Sequence, residues 1–262
     1  MPNIDLTTLP GWSSLSSDTY NITIVARANG YRDSEPSAAV SVEKAAAMPV
    51  KGDLITMDSK QYRVLTVAGN VAEVLAMYDA STSLKFDTNS SYNNTYARKN
   101  IDTYCNNTFY SGLSSAMKIA IVDKTFTQDK WSRSSSVPTA SHYTGKYGSS
   151  TYYLERTNAA FGTSITRHCY VLSVQDVLDY LDTTKSMGIS DTTLTDINLW
   201  NMFWNQTTPP GSTYPWLRSA EYGGGAFCVS GSNGRFGFNI VSTANAVRPA
   251  FQIDLSKVEF TK

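Results

Sequence analysis

His168 and Cys169 stand side by side in the chain. A thiol within reach of an imidazole is the pairing that yields a nucleophilic thiolate. Neighbours on one strand point to opposite faces, however, so this pair cannot act as a direct dyad there. The other histidine is His142, and the remaining cysteines, Cys105 and Cys228, lie far from either imidazole in sequence. Three widely spaced cysteines without a CxxC pair form neither a full disulfide framework nor a zinc site. They read as buried small apolar residues. HExxH, GxSxG, P-loop and GxGxxG patterns are absent. Gly223-Gly224-Gly225 lacks a following Lys-Ser/Thr and reads as a flexible loop. Acid pairs with calcium-loop spacing are missing from the C-terminal region. The expectation is a protein without catalytic residues, metal or cofactor.

The residues from Trp216 to Leu255, WLRSAEYGGGAFCVSGSNGRFGFNIVSTANAVRPAFQIDL, suit binding instead. Two stiff ends, Trp216-Leu217-Arg218-Ser219 and Val247-Arg248-Pro249-Ala250, enclose a middle of Gly, Ser, Asn, Tyr, Phe and one Arg. Tyr and Phe supply rigid contact area; Ser, Asn and Gly supply adaptable hydrogen bonds. Between Phe236 and Val241, Phe236, Phe238 and Ile240 share one face of a strand, and Gly237, Asn239 and Val241 the other. Neither face is purely polar, so aromatic area facing solvent would mark an interaction site. The competing reading places Phe236 and Phe238 in the core. Arg235 is a candidate anchor, since Arg is enriched at hot spots. Arg218 and Arg248 read as structural, their guanidinium forks holding loop carbonyls.

The wider composition agrees with an extended, strand-rich surface. There are 16 Tyr, 10 Phe and 5 Trp, with charged residues sparse at 17%. Net charge is zero and no basic stripe appears, so no nucleic-acid partner is expected. No apolar run is long enough to span a bilayer, so no membrane insertion is expected. MPNIDLTTLPGW lacks a basic region followed by an apolar one, so no Sec signal is read there. Asn-x-Ser/Thr sequons at Asn21, Asn106 and Asn205 are expected by chance in so Asn/Ser/Thr-rich a chain.

Residues 1–44 read as the end of a small β-sandwich module. Tyr20 to Ala28 alternates in period two, Asn29-Gly30 makes a turn, and Ser37 to Val42 forms a second strand. Gly30-Tyr31-Arg32-Asp33-Ser34-Glu35-Pro36-Ser37 resembles the ending of bacterial and phage immunoglobulin-like or fibronectin-III-like repeats. These 44 residues are too few for a whole sandwich; the resemblance implies a truncated module, or strands that pack on the main domain or another subunit as a route to homo-oligomer or virion assembly, and a linker strand pair is the plainer reading. Residues 45–51 read as linker and 52–262 as the main domain. Leu54–Met57, Gln61–Ala68 and Val71–Ala76 predict a three-stranded meander with turns at 58–60 and 69–70. Residues 79–99 and 127–150, polar and weakly periodic, read as loop. Helices are predicted over 100–107, 111–122, 174–181 and 194–205. In the second, Leu113, Met117, Ala120 and Ile121 form a core stripe; Ser173 with Asp176 caps the third. Strands are predicted over 167–172, 226–230, 236–241 and 250–255. Strands at both ends with helices between predict an α+β fold whose ends meet in one sheet.

Gly52-Asp53, Gln61-Tyr62-Arg63-Val64-Leu65, the WLRS of 216–219, Gly234 and the VRPA of 247–250 together carry a resemblance. The chain from Gly52 to Leu255 resembles bacterial and phage C-type-lectin-like domains, and among them the variable proteins of diversity-generating retroelements. The resemblance implies a C-type-lectin-like domain with a mixed or antiparallel sheet and short helices. In such systems an error-prone reverse transcriptase rewrites adenine positions at the 3′ end of one gene. An asparagine AAY codon altered at its adenines reaches Tyr, Ser, Gly, Arg, Phe, Ala and Asp among others. The resemblance makes Trp216, Leu217, Arg218, Val229, Gly234, Val247, Arg248 and Pro249 scaffold. It makes Tyr222, Gly223, Ser230, Ser232, Asn233, Arg235, Phe236, Phe238, Asn239, Ser242 and Asn245 ligand-binding display positions, within a surface spanning 216–250. The implied function is non-enzymatic binding of a host-surface or other macromolecular ligand, protein or glycan, on a phage tail or a bacterial surface. A structural virion or cell-surface domain without a variable site is the alternative. A formylglycine-generating oxidase, which shares the lectin-like architecture, is the third. The Glu-Pro-Asn and Trp-Asn-Asp segments of calcium-dependent lectins are absent.

Overall fold

A computed structural model describes Leu6, Leu9 and residues 19–27, 29–43, 48–88, 95–147, 149–181, 193–194 and 196–262. Contacts divide the chain into two compact units, Met1–Met48 and Pro49–Lys262. In the first, β1 (Thr19–Ile22) pairs antiparallel with β2 (Val40–Glu43). The ladder is shorter than the period-two pattern predicts. Past Ile22, the hydroxyls of Ser37 and Ser34 accept from the backbone N–H groups of Ile24 and Ala26 at 3.0 and 2.9 Å. Serine side chains replace ladder partners there, the local competition that hydroxyls offer to regular pairing.

The second unit opens with the predicted meander, β3 (Leu54–Met57), β4 (Lys60–Ala68) and β5 (Val71–Ala76). Asp58 and Ser59, at φ 49° and 60°, make a two-residue turn between Met57 and its partner Lys60. Positive φ at both central residues is the primed geometry that matches the strands' twist. β6 (Ser81–Lys85) follows. Next, α1 (Asn100–Thr103) runs into a π-helical turn, Tyr104–Phe109. α2 (Ser115–Ala120) is capped by Ser114, whose hydroxyl accepts from the Met117 N–H at 3.2 Å. Leu113, Met117 and Ala120 are buried, as their stripe requires. Then come β7 (Ile121–Val122), β8 (Lys124–Ser134), β9 (Tyr143–Tyr147) and β10 (Ser150–Arg167). α3 (Val174–Leu181) starts with a reciprocal cap: the Asp176 N–H donates to Ser173 Oγ at 3.0 Å, and the Ser173 N–H to Asp176 Oδ2 at 2.8 Å. β11 (Thr193–Leu194), α4 (Asp196–Trp204), β12 (Trp216–Glu221), β13 (Ala226–Ser230), β14 (Arg235–Asn239), β15 (Ala244–Val247) and β16 (Ala250–Asp254) complete the unit.

Seven strands form a mixed sheet in the order β11-β9-β10-β8-β12-β13-β14, with β12–β8 and β11–β9 parallel. Five form a second sheet, β3-β4-β5-β16-β7, and β15 pairs with β6. β16 lies beside β5, so the two ends of the unit share one sheet.

The architecture corrects the α+β, C-type-lectin-like class expected from the sequence. Strand outweighs helix, 44% to 16%, and the protein is mostly β with several sheets. The difference comes from segments read as loop: 79–99 holds β6, and 127–150 holds most of β8 and all of β9. The predicted strand over 167–172 is also displaced: β10 ends at Arg167, and Tyr170 makes only an isolated bridge to Ala250. No described helix is long and apolar enough to cross a membrane.

A buried polar network joins the sheets. Arg218, on β12, donates from Nη1 to the Val171 carbonyl at 2.8 Å and pairs with Asp176 at 2.5 Å. Its guanidinium lies 4.2 Å from the Phe126 ring centroid. Lys124 bridges Asp176 (3.5 Å) and Glu73 (2.7 Å), and Glu73 also accepts from the Tyr170 hydroxyl at 2.7 Å. Ser219 Oγ accepts from the Val174 N–H and donates to Asp129, which also accepts from Trp131 Nε1. Arg248 reaches the Phe203 carbonyl and pairs with Asp79 at 2.6 Å. Arg218 therefore holds a loop carbonyl, whereas the Phe203 carbonyl that Arg248 holds lies in the last turn of α4. Trp216 Nε1 donates to the Leu84 carbonyl at 2.8 Å, tying β12 to β6. Burial alone would raise the Asp176 carboxyl; Arg218 and then Lys124 outweigh it and hold the group well below the usual carboxylate range.

Candidate functional site

β13 and β14 form a hairpin at the edge of the seven-stranded sheet. Its turn, 231–234, closes with the Gly234 N–H donating to the Ser230 carbonyl at 2.9 Å. Gly234 sits at φ 51°, a left-handed position that glycine occupies without strain. Gly231 is required for another reason: a Cβ there would lie 2.8 Å from the Gly211 carbonyl oxygen and 3.0 Å from that of Thr213. The turn is thus packed tightly on the 211–214 segment.

The register puts Ser230 opposite Arg235, Cys228 opposite Gly237, and Ala226 opposite Asn239 on one face. Val229 with Phe236, and Phe227 with Phe238, take the other. A cavity of about 460 Å³ opens against the first face. Cys228, Ser230 and Gly237 line it from the hairpin, with Asn233, Arg235 and Asn239 along its rim and turn. Thr243, Ala244 and Asn245 line it from the start of β15, and Tyr214 and Arg133 from elsewhere in the chain. Phe238 also reaches it: β14 is an edge strand, so this ring is 40% exposed although its cross-strand partner Phe227 is buried. The Arg133 guanidinium lies 5.3 Å from the Phe238 ring centroid.

The electrostatics are one-sided. Two arginines and no acidic residue are among the described lining residues. Burial pushes the Cys228 thiol up to about 12, and Arg133 and Arg235 pull against that rise, which places both guanidinium charges near the sulfur. Hydrogen bonding is incomplete. Asn245, only 5% exposed, accepts on Oδ1 from Asn239 Nδ2 at 3.2 Å. Its own Nδ2, and Asn233 Oδ1, are buried without a hydrogen-bond partner among the described residues. Buried polar atoms left unpaired cost about 1–3 kcal/mol each, so such atoms call for an explanation.

The family model described as a domain of unknown function (DUF6273) matches residues 72–255. The chain belongs to this family. No curated protein and no solved structure matches it. The DUF6273 span begins inside β5, ends just past β16, and contains every residue that lines the cavity.

Within the DUF6273 domain, Ser230, Asn233, Arg235, Phe238, Asn239 and Asn245 come together around this cavity. Ser232 is beside it on the turn, exposed, its hydroxyl 3.2 Å from those of Ser230 and Tyr214. Tyr222 and Gly223 lie on the turn at the other end of β13; Tyr222 is 69% exposed, with Lys130 Nζ 5.4 Å from its ring centroid. Ser242 is half-buried in the turn after β14. Phe236 is fully buried and belongs to the core, so its side chain cannot be displayed. Ser230 and Asn245 are also buried, so a ligand meets them only inside the cavity. Composition pointed to 216–250 but missed Arg133 and Tyr214. Arg133 falls in a stretch read as loop, and no local signal marks it.

Of the histidines and cysteines, only Cys228 is among the described residues that line this cavity. His168 bonds Asp123 through Nδ1 and stacks on Tyr110 at 4.3 Å. His142 Nδ1 contacts the Ala140 carbonyl at 2.9 Å. Cys105, Cys169 and Cys228 are free and buried, and burial drives each thiol's pKa upward, against thiolate formation. The Asn106 amide is fully occupied: it donates to the Cys169 and Asp102 carbonyls and accepts from the His168 and Cys169 N–H groups. Among the described residues, no three His, Cys, Asp or Glu gather as a metal site.

Proposed function

We propose that this chain is a non-enzymatic ligand-binding protein whose β13–β14 hairpin and flanking loops form the recognition surface. In this reading the surface is diversified by a retroelement, and the protein works on a phage tail or a bacterial surface against a protein or glycan of its target. One observation carries the proposal. The hairpin presents an open cavity lined by polar side chains, with Arg133 and Arg235 on its wall, while the strand beside it is anchored by the buried Arg218–Asp176 pair. A rigid frame under adaptable side chains is what a recognition surface needs. The retroelement and the setting rest on the paired WLRS and VRPA motifs.

The burial of Phe236 favours a purely structural hairpin at that position. Exposure of Tyr222 and Phe238 weighs the other way, since large aromatic faces in water mark contact sites. The test replaces Tyr222, Ser232, Asn233, Arg235, Phe238 and Asn239 together. Melting temperature and binding to an array of bacterial surface glycans and proteins are then compared with the parent. The expected result is an unchanged melting temperature with the parent's target lost or exchanged. An identical binding profile, or collapse of the fold, speaks for the structural domain. The gene offers an independent check: a near-copy of its 3′ end, differing only at adenines, beside a reverse-transcriptase gene.

A further inference from the structure

A second cavity, of about 360 Å³, shares no lining residue with the first. Part of its lining is already engaged. Arg167 clamps the Asp102 carboxylate with two bonds of 2.6 Å, and Asn106 Nδ2 adds another at 3.2 Å, so the buried Asp102 charge is compensated. The rest divides between two walls. Arg98, Thr103 and Asn107 come from the stretch that enters α1 and its π-helical turn, and all three are exposed. Asp123 and His168 come from the start of β8 and the end of β10. Arg98 sits at φ 62°, an uncommon conformation for a non-glycine residue, and its N–H donates to Asp102 Oδ2 at 2.7 Å, which holds it there. The Arg98 guanidinium, the Thr103 hydroxyl and the Asn107 amide make no hydrogen bond or ion pair among the described residues. On the other wall, His168 bonds Asp123 through Nδ1 and stacks on Tyr110, which fixes the plane of its ring. A carboxylate only accepts, so Nδ1 carries the proton and the neutral imidazole keeps its Nε2 lone pair as an acceptor. Asp123, its side chain 49% exposed, offers its second oxygen as a further acceptor. One wall therefore donates around a free cation, and the other accepts.

We propose that this second cavity binds a small phosphorylated sugar or polyol. The Arg98 guanidinium takes the phosphate, and Thr103 and Asn107 donate to its remaining oxygens. His168 Nε2 and Asp123 accept protons from the sugar hydroxyls. A phosphate presents three strong acceptor oxygens to these three side chains, where a carboxylate presents only two. The volume lies at the small end of ligand sites and suits a single sugar phosphate. The site is independent of the β13–β14 hairpin, so the two readings succeed or fail separately.

The test is calorimetric titration of the full chain with D-glucose 6-phosphate, glycerol 3-phosphate, inorganic phosphate, D-glucose and D-glucuronate near neutral pH. A phosphorylated polyol is expected to bind, with inorganic phosphate and glucose each roughly tenfold weaker or more, because each engages one wall alone. Glucuronate should also be weaker. Arg98→Gln should weaken the sugar phosphate roughly tenfold or more and bring it near glucose. His168→Phe keeps a ring against Tyr110, removes Nε2, and should bring the sugar phosphate near inorganic phosphate. Arg98 is exposed and the His168 side chain 44% exposed, so both variants should melt within a few degrees of the parent. The proposal is overturned if neither phosphorylated polyol binds, if glucose or glucuronate binds as tightly as they do, or if either variant binds like the parent.

Discussion

Two polar regions, on the neighbouring strands β12 and β13 of one sheet, are built differently. Around Arg218, Asp176, Lys124 and Glu73, charges are paired at 2.5–3.5 Å and hydroxyls from Tyr170 and Ser219 take further bonds. Around β13 and β14, Asn233 and Asn245 each keep one buried polar atom without a hydrogen-bond partner among the described residues, and two arginines line a cavity. The first region uses its polar groups to hold two sheets together. The second sets its groups around an opening. An unpaired buried atom does not by itself mark a site, since Arg218 Nε also lacks a hydrogen-bond partner among the described residues; polar side chains gathered around an opening are what set the second region apart.

Substitutions sharpen that contrast. Arg218→Ala should be the most damaging change, destabilising by about 3–5 kcal/mol because it leaves the buried Asp176 uncompensated, read by denaturant unfolding. Two phenylalanines on the hairpin should separate next. Phe236→Ala opens a buried void and should cost about 3–5 kcal/mol. Phe238→Ala, on the half-exposed edge, should cost about 1 kcal/mol or less in the same assay while weakening ligand binding. Acid should attack the network before the cavity. The Asp176 pKa is lowered by folding, so its stabilisation is complete above the unfolded aspartate value of about 3.9. That stabilisation fades as pH falls below this value toward the lower folded one. Asp176→Asn should flatten the pH dependence of stability in that acid window. Ser173→Ala removes one half of the α3 cap and should cost about 1 kcal/mol, the smallest effect, seen as a modest drop in melting temperature.

The sequence disclosed the scaffold better than the site. The meander over 54–76 was legible because alternation and turn residues agree: Ile55, Met57, Tyr62 and Val64 are all fully or almost fully buried. The Ser173–Asp176 cap was legible because capping is local. β8, β9 and β10 were not read as one long arm. β10 carries Thr157, Asn158, Ala159 and Ala160 exposed in its middle, and bulges shift its register against β8 between Arg156 and Ile165. Strands polar on their outer face and broken by bulges lose the period-two signal. The same loss hid Arg133 on β8. Phe236 and Phe238 occupy the same face of β14, yet one is core and the other half-exposed. Alternation cannot tell them apart, because the difference arises where an edge strand leaves the cover of its neighbours.

The central claim is that a fixed frame carries a replaceable recognition surface, and one experiment addresses it directly. The combined replacement of Tyr222, Ser232, Asn233, Arg235, Phe238 and Asn239 is followed by thermal melting and target binding on the same sample. The account predicts a melting temperature within a few degrees of the parent, about 1 kcal/mol or less of lost stability, with the parent's target lost or exchanged. A variant that unfolds, or one that keeps the parent's target at the parent's affinity, would contradict it.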